Sequence, residues 1–420
     1  MAARKSATSW SEARRLAFDC ASSIPAMPVP LAETIGRTLA RAVTTSQDLP
    51  HYASSAMDGW AVSGSGPWTL VKPGQPLAPH HASPIATGGL VPVGTDAVLR
   101  RESGRTSDDI AGVPTLTLGP EARPGEPRSG QHIRPAGEEA AAGEVLIPAG
   151  TVLNPAHIAL AAIAGHDELH VFGKPRVTIL LTGSEVVTSG MPAPGQVRDA
   201  FGPQLGTVLA MLGGDPVGRR RIGDSYQEWL AALSDTGTRP AERPDVVITT
   251  GGTGCSGTDH FRNAIAALGG RLLLDGVAMR PGHPAVLAEL PDGRFVVGLP
   301  GNPLAAMMAL ITIGAPLIAA LGHRPLSNLR LVASGTAIGA DPGRTRLMPF
   351  RFDNGLASPA HHTGPGMMRG LAWADGVLAV PPHGAQPGED PVPALPLPWT
   401  PSLTAGSAGS HLFNAPTVPV

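Results

Sequence analysis

Apolar positions change their spacing several times along the 420-residue chain, and each change marks a different kind of element. Over residues 10–42 they recur at helical spacing, first Leu16 and Ala17, then Leu31, Ile35 and Leu39, with a proline-rich break at Pro25–Pro30. Residues 46–139 turn instead to short β-prone runs, Trp68–Val71, Ala97–Leu99 and Leu116–Leu118, between glycine and proline clusters. Helical spacing returns over 140–170, where Pro155 stands near a helix start and Ile158, Leu160 and Ile163 follow periodically. Helical stretches therefore flank a β-rich insert. The spacing predicts a discontinuous helical domain, 8–45 plus 140–172, around an insert domain of 46–139.

From Lys174 onward strands and helices alternate. Val177–Leu181, Pro216–Ile222 and Asp245–Thr249 read as strands, while Pro203–Leu212 and Tyr226–Leu233 read as helices. Such alternation predicts a doubly wound, mostly parallel α/β domain over 173–325, with ligands at the carboxyl ends of its strands. Residues 326–400, with β runs at Leu329–Ser334 and Gly376–Val380, predict a small β-barrel-like domain, and 401–420 a mobile tail. The fold class is thus α/β multidomain. Leu304–Gly322 is almost uncharged and just long enough to span a bilayer, yet it contains Pro316 and is diluted by Gly and Ala. It reads as a buried core helix.

Composition narrows the function classes. Hydrophobic content of 42% with 15% charged residues is globular, and 53 glycines with 45 prolines imply many short elements. A net charge of −2 gives no electrostatic reason to expect nucleic acid or an anionic membrane as partner. The two cysteines, Cys20 and Cys255, lack metal-ligand spacing, so a reducing cytoplasm is the expected setting. Glu12, Arg14, Arg15 and Asp19 interrupt any apolar leader segment.

Candidate chemistry concentrates where strands run into glycine. Val246-Val247-Ile248 leads into Thr249-Thr250-Gly251-Gly252-Thr253-Gly254, and an amphipathic segment follows from Phe261 to Leu268. Phe295-Val296-Val297 leads likewise into Gly298-Leu299-Pro300-Gly301-Asn302-Pro303. Glycine lets the backbone turn tightly and approach a ligand, and helix N–H groups favour anions. Two such turns point to a phosphate-bearing substrate. Glu185, Asp224 and Asp259 each lie just past a strand end, where they could hold Mg²⁺ or, for the two aspartates, cap helices. Asp58, before Gly59, and Thr87-Gly88-Gly89 are ordinary turns on spacing alone. The adjacent pairs His80-His81 and His361-His362 diverge in extended chain and do not suggest a metal site.

Taken together, four separated motifs resemble the MoeA family of molybdopterin molybdenumtransferases and the matching domain of gephyrin. Ser55-Ala56-Met57-Asp58-Gly59-Trp60-Ala61 is similar to the family's SAMDGYA, and Thr182-Gly183-Ser184-Glu185-Val186 to its TGDEL. Thr250-Gly251-Gly252 with Asp259 is similar to its SGG…D turn, and Gly298–Pro303 matches its GLPGNP. The resemblance implies a four-domain subunit that forms a homodimer. It implies insertion of molybdate into adenylylated molybdopterin, with Mg²⁺ and release of AMP, on substrate handed over by a molybdopterin adenylyltransferase. Carried onto this chain, it gives Asp58, Glu185, Asp224 and Asp259 as catalytic residues, the last three as metal ligands. Thr87, Glu139, Gly251, Gly252, Thr253, Gly254, Arg280, His283, Pro300, Gly301 and Asn302 become substrate contacts.

The chain also departs from the family pattern. KPGKP reads Arg280-Pro281-Gly282-His283-Pro284, the Asp of GED is Glu139, and Ala53, Phe201 and Gly364-Pro365-Gly366 replace polar residues. A binding paralogue without turnover is therefore an alternative, and TTGGTG, closer to the adenylyltransferase wording, makes adenylyl transfer another.

Overall fold

The computed structural model describes residues 7–108, 110, 112–237, 243–254, 259–388 and 390–400; Cys255 and the tail expected to be mobile lie outside them. The chain divides into two compact units, one of Pro28–Val171 and one formed by the segments on either side of it.

In the Pro28–Val171 unit, the β-prone insert forms a six-stranded sheet. Its order is Ala97–Arg100, Gly59–Val62, His81–Ile85, Trp68–Leu70, Pro114–Leu118, Gly104–Asp108. Alternate residues place Val62, Trp68, Ala82, Ala97, Leu99 and Leu116 in one core, as a half-buried sheet requires. A second core gathers Val29, Leu39, Val43, Ile147, Leu153 and Val171 around the helix Pro155–Ile163. That helix starts where expected: Pro155 occupies its first turn, and Asn154 Oδ1 accepts from the His157 N–H at 2.9 Å.

The helical spacing of Leu31, Ile35 and Leu39 does not become a helix. The chain forms a strand at Met27–Pro30 and a single 3₁₀ turn at Leu31–Glu33. Pro28 and Pro30 supply no N–H. Beyond them the backbone is claimed by distant partners, Leu39 N–H by Thr151 O at 2.9 Å and Ala40 N–H by His170 O at 2.8 Å. Long-range pairing overrode local periodicity.

The other unit is built on a six-stranded mixed sheet. Asp215–Arg221, Arg176–Leu181, Val246–Thr250 and Phe295–Leu299 run parallel, followed by antiparallel pairings to Val286–Glu289 and then Arg271–Asp275. Val246 and Ile248 enter one core with the helices Leu205–Met211 and Pro303–Ala309, while Val247 enters a second with Tyr226–Ser234 and Phe261–Ala267. Helices therefore cover both faces, as the unbroken apolar strand demanded.

The apolar stretch Pro303–Leu321 is a core element, with 94% of its most apolar window buried. Its middle, Leu310–Gly314, widens into a π-helical turn. Pro316 removes the N–H that would bond Thr312 O and crowds that carbonyl, and the wider turn relieves it. Thr312 Oγ1 in turn accepts from Trp10 Nε1 at 3.0 Å. Trp10 lies on the N-terminal helix Trp10–Asp19, whose start is closed by a Ser9–Glu12 capping box. Cys20, which ends that helix, is a thiol pushed up to about 11 by burial, and so is unreactive near neutral pH.

A second sheet completes this unit. Thr345–Asp353, Gly376–Val380, Pro391–Pro396 and Arg330–Ala333 form it with Leu356–Pro359, extended by Val277–Arg280 and Thr8–Ser9. Phe350, Leu378, Val380 and Ala394 fill its core.

Candidate functional site

Because the four parallel strands end on one side of the sheet, the loops leaving them share a cleft of about 790 Å³. Thr182, Gly183 and Glu185 follow the first strand, and Asp224 follows the edge strand that ends at Arg221. Gly251–Gly254 with Asp259 follow the third, and Pro300–Pro303 the fourth. This is the position expected of a ligand site in an open α/β sheet.

The glycine turn is built from below. Gly251 and Gly252 have φ of +82° and +66°, which other residues adopt at a cost. A Cβ on Gly251 would lie 2.7 Å from Thr182 Oγ1, and one on Gly252 would lie 2.5 Å from Cζ2 of the buried Trp229. Main-chain bonds hold the turn from both sides: Gly251 N–H donates to Leu299 O at 2.8 Å, and Gly252 O accepts from Phe261 N–H at 3.3 Å.

Those same bonds occupy part of the two helix ends expected to bind anions. The first N–H of Phe261–Ala267 is already used by Gly252 O. At the second turn, Pro303 has no N–H, and the Ala305 N–H donates to Pro365 O at 3.0 Å. Arg198 and Arg221 bring positive charge to the cleft wall. Arg221 Nη2 meets Asp199 Oδ2 at 2.5 Å, while Asp199 Oδ1 accepts the Phe201 and Gly202 N–H groups, each at 2.9 Å. Sequence reasoning gave these two arginines and Asp199 no role. The signal was available, since Val197–Arg198 and Asp215–Arg221 are strand ends like the one that pointed to Asp224.

Glu185, Asp224 and Asp259 all line the cleft, but in different states. Asp224 Oδ2 accepts from the Ser184 N–H at 3.0 Å and from the Ser184 hydroxyl, tying together the loops of two neighbouring strands. It does not cap Tyr226–Ser234, whose N-cap residue Ser225 makes no side-chain capping bond. The N-cap residue of Phe261–Ala267 is His260 and not Asp259, whose Oδ2 would lie 2.8 Å from a Cβ on Gly254, so the carboxylate covers that glycine. The Glu185 side chain is exposed and folds back over Gly183. The expectation of three converging metal ligands is not met, because among the described residues no group of three or more His, Cys, Asp or Glu could hold a metal ion.

Pro300, Gly301 and Asn302 line the cleft as expected, joined by Pro284, Phe201, Gly366 and Met368. Arg280 and His283 do not line it. Arg280 is exposed and pairs with Asp341 at 3.7 Å, and the His283 Nδ1 bonds Val277 O at 2.8 Å.

In the Pro28–Val171 unit, Asp58 and Thr87 meet. Asp58 Oδ1 accepts from the Thr87 N–H at 2.7 Å and from its hydroxyl at 2.8 Å. These bonds, the main-chain one first, hold the Asp58 carboxyl below the usual carboxylate range. Gly88 N–H donates to Ser55 O and Ser55 N–H to Gly89 O, so the glycine turn is fixed against the Ser55–Met57 segment. Glu139 is exposed, with its N–H on Leu49 O at 2.8 Å.

Residues 8–165 match the MoeA N-terminal region (domain I and II), 178–320 a probable molybdopterin binding domain, and 332–397 the MoeA C-terminal region (domain IV). A curated relative, molybdopterin molybdenumtransferase 2 of Mycobacterium tuberculosis, is 30% identical over 404 residues, 88% of this chain and 94% of that protein. The chain belongs to the MoeA family. Another member, the molybdopterin molybdenumtransferase of a Nostoc species, is 31% identical over 307 residues, 68% of this chain and 67% of that one. The fold is shared with a MoeA protein from Pyrococcus horikoshii, which aligns over 93% of this chain and 99% of its own with a TM-score of 0.68 at 24% identity. MoeA membership makes the chain a transferase of molybdenum cofactor biosynthesis.

Proposed function

We infer that the chain inserts molybdate into adenylylated molybdopterin, with Mg²⁺, and releases AMP. The observation that carries this reading is the meeting of Glu185, Asp224 and Asp259 with the Gly251–Gly254 turn in one cleft that also holds Arg198 and Arg221. Mixed charge suits a phosphoanhydride bound with a cation. Mg²⁺ keeps several waters and needs only one or two carboxylates beside substrate phosphates, so the absence of a three-carboxylate cage leaves it a fit. When bound it would neutralise phosphate charge and favour attack at phosphorus.

The residues divide the remaining work. Glu185 and Asp259 are the Mg²⁺ ligands in this reading, and Asp224 fixes Ser184 through Oδ2. Asp224 keeps the loop that carries Glu185 in register, and the Gly252–Gly254 backbone faces phosphate. The Arg221–Asp199 pair presents a guanidinium whose position is fixed by two main-chain N–H bonds. The proposal extends to a cytoplasmic homodimer, to Asp58, Thr87 and Glu139 as further substrate contacts, and to hand-over from a molybdopterin adenylyltransferase.

Incubating the purified protein with adenylylated molybdopterin, Mg²⁺ and molybdate should release AMP and yield active cofactor. Glu185→Gln and Asp259→Asn should slow AMP release at least tenfold while AMP binding persists. Absence of AMP release from the wild-type chain sinks the reading. Binding without turnover would support the paralogue alternative, which the positions of Arg280 and His283 away from the cleft favour. Release of pyrophosphate from ATP and molybdopterin would mark the adenylyltransferase alternative.

A further inference from the structure

One arginine on the helix after the glycine turn bonds that turn, and the family motifs do not include it. Arg262, on the helix Phe261–Ala267, sends Nη1 to the carbonyl oxygens of Thr253 and Gly254 at 2.8 and 2.9 Å. Its Nε donates to Asp275 Oδ1 at 2.7 Å, and Nη2 meets the same oxygen at 2.6 Å. A planar guanidinium fixed along one edge by a carboxylate has its other edge fixed as well. We propose that Arg262, locked by Asp275, is a positioning residue that holds the Thr253–Gly254 peptides in the orientation needed to receive phosphate.

The physical basis is peptide planarity. In a trans peptide the C=O and the following N–H point in opposite directions. Pinning Thr253 O on Arg262 therefore turns the Gly254 N–H away from the helix, and the Phe261 bond to Gly252 O does the same for the Thr253 N–H. Two consecutive N–H groups on one side make a concavity suited to an anion. The guanidinium also offsets the negative ends of two carbonyl dipoles that would otherwise repel phosphate. Lys could reach one carbonyl but could not satisfy both and Asp275 in the same plane.

This inference rests on the phosphate role proposed above, so two readouts are needed. The first is ligand-free: amide exchange of Gly251, whose N–H bonds Leu299 O, in wild type and in Arg262→Met, Arg262→Lys and Asp275→Asn. The second is calorimetric affinity for AMP with Mg²⁺ in the same proteins. We expect exchange at least tenfold faster and AMP binding at least tenfold weaker in Arg262→Met. Asp275→Asn should weaken binding severalfold, Arg262→Lys should fall between, and the double variant should bind no worse than Arg262→Met. A melting temperature within a few degrees of wild type separates positioning from general unfolding; if Arg262→Met fails to fold, the Lys and Asp275 variants carry the test. Gly251 exchange and AMP affinity within twofold of wild type in these variants overturn the clamp. So does full additivity of the two substitutions. Faster exchange in a protein whose wild type binds no AMP instead overturns the phosphate reading while upholding the clamp.

Discussion

Replacing Gly252 by Ala separates two reasons for a glycine at the same position. The residue has φ of +66°, which costs an L-residue about 1–2 kcal/mol. The added methyl would also lie 2.5 Å from Trp229 Cζ2, closer than carbon atoms approach, and Trp229 is fully buried against Phe261. Overpacking of that kind costs about 1–3 kcal/mol. The sum, about 2–5 kcal/mol, is large for one methyl. Gly293→Ala is the control, since Gly293, in the turn between Val286–Glu289 and Phe295–Leu299, has φ of +86° but nothing within 4 Å of its Cβ position. It should lose only the conformational share, about 1–2 kcal/mol. Urea unfolding followed by circular dichroism, with unchanged slope, measures both losses. Trp229→Phe, which withdraws the crowding edge, should shrink the Gly252→Ala penalty toward that of Gly293→Ala. The reasoning fails if Gly252→Ala costs no more than Gly293→Ala, or if Trp229→Phe leaves its penalty unchanged.

Three other outcomes test different parts of the molecule. Thr312→Val leaves the buried Trp10 Nε1 without its acceptor and should cost about 1–2 kcal/mol in urea unfolding; a loss under about 0.3 kcal/mol would show the bond is dispensable. Glu126, 3% exposed in its side chain, is held down to about 2, first by its hydrogen bond from Arg100. Its contribution, about 3 kcal/mol at neutral pH by linkage, exists above the ordinary carboxyl range and fades as pH falls toward 2, so the Glu126→Gln penalty should shrink on acidification. A penalty equal at pH 7 and at about pH 3.5 would contradict the shift. Thr87→Ala removes the hydroxyl bond but keeps the main-chain one, so the Asp58 carboxyl should titrate higher than in wild type yet still below its ordinary range. Carbon NMR titration reads this directly, and an unmoved midpoint would mean the hydroxyl contributes nothing.

Elements whose two faces are both buried were legible in the sequence, because there the apolar run itself is the signal. Val246–Ile248 and the Pro303–Leu321 stretch read correctly for that reason. Amphipathic segments with a proper start also read well, as at Asn154-Pro155. What failed was spacing without a start signal: Leu31, Ile35 and Leu39 keep a helical period by coincidence, while the Leu39 and Ala40 N–H groups bond the distant carbonyls of Thr151 and His170. The antiparallel pairing of Val286–Glu289 with Phe295–Leu299 was missed although Pro291-Asp292-Gly293 announces a turn between them. In the cleft, carboxylates and glycines were legible because strand ends and positive-φ turns restrict residue type. Arg221 stood at a strand end and was passed over, while the Arg221–Asp199 and Arg262–Asp275 pairs join elements separate in sequence and so leave no local pattern.

The cleft's chemistry depends on that hidden layer. Asp224 fixes Ser184 through Oδ2, and Asp199 fixes Arg221 while gathering two N–H groups. The glycine turn is held at Gly251 N–H, Gly252 O, Thr253 O and Gly254 O before any ligand arrives. Polar groups in the cleft therefore act on other protein groups as well. That arrangement suits the proposed reaction, in which a charged phosphoanhydride would be met by dipoles already in place, because reorienting them during the reaction would raise the barrier. Substitutions at Asp224, Asp199 or Arg262 should accordingly disturb the rate and ligand affinity through their neighbours, with a dependence on the partner's identity that a direct substrate contact would not show.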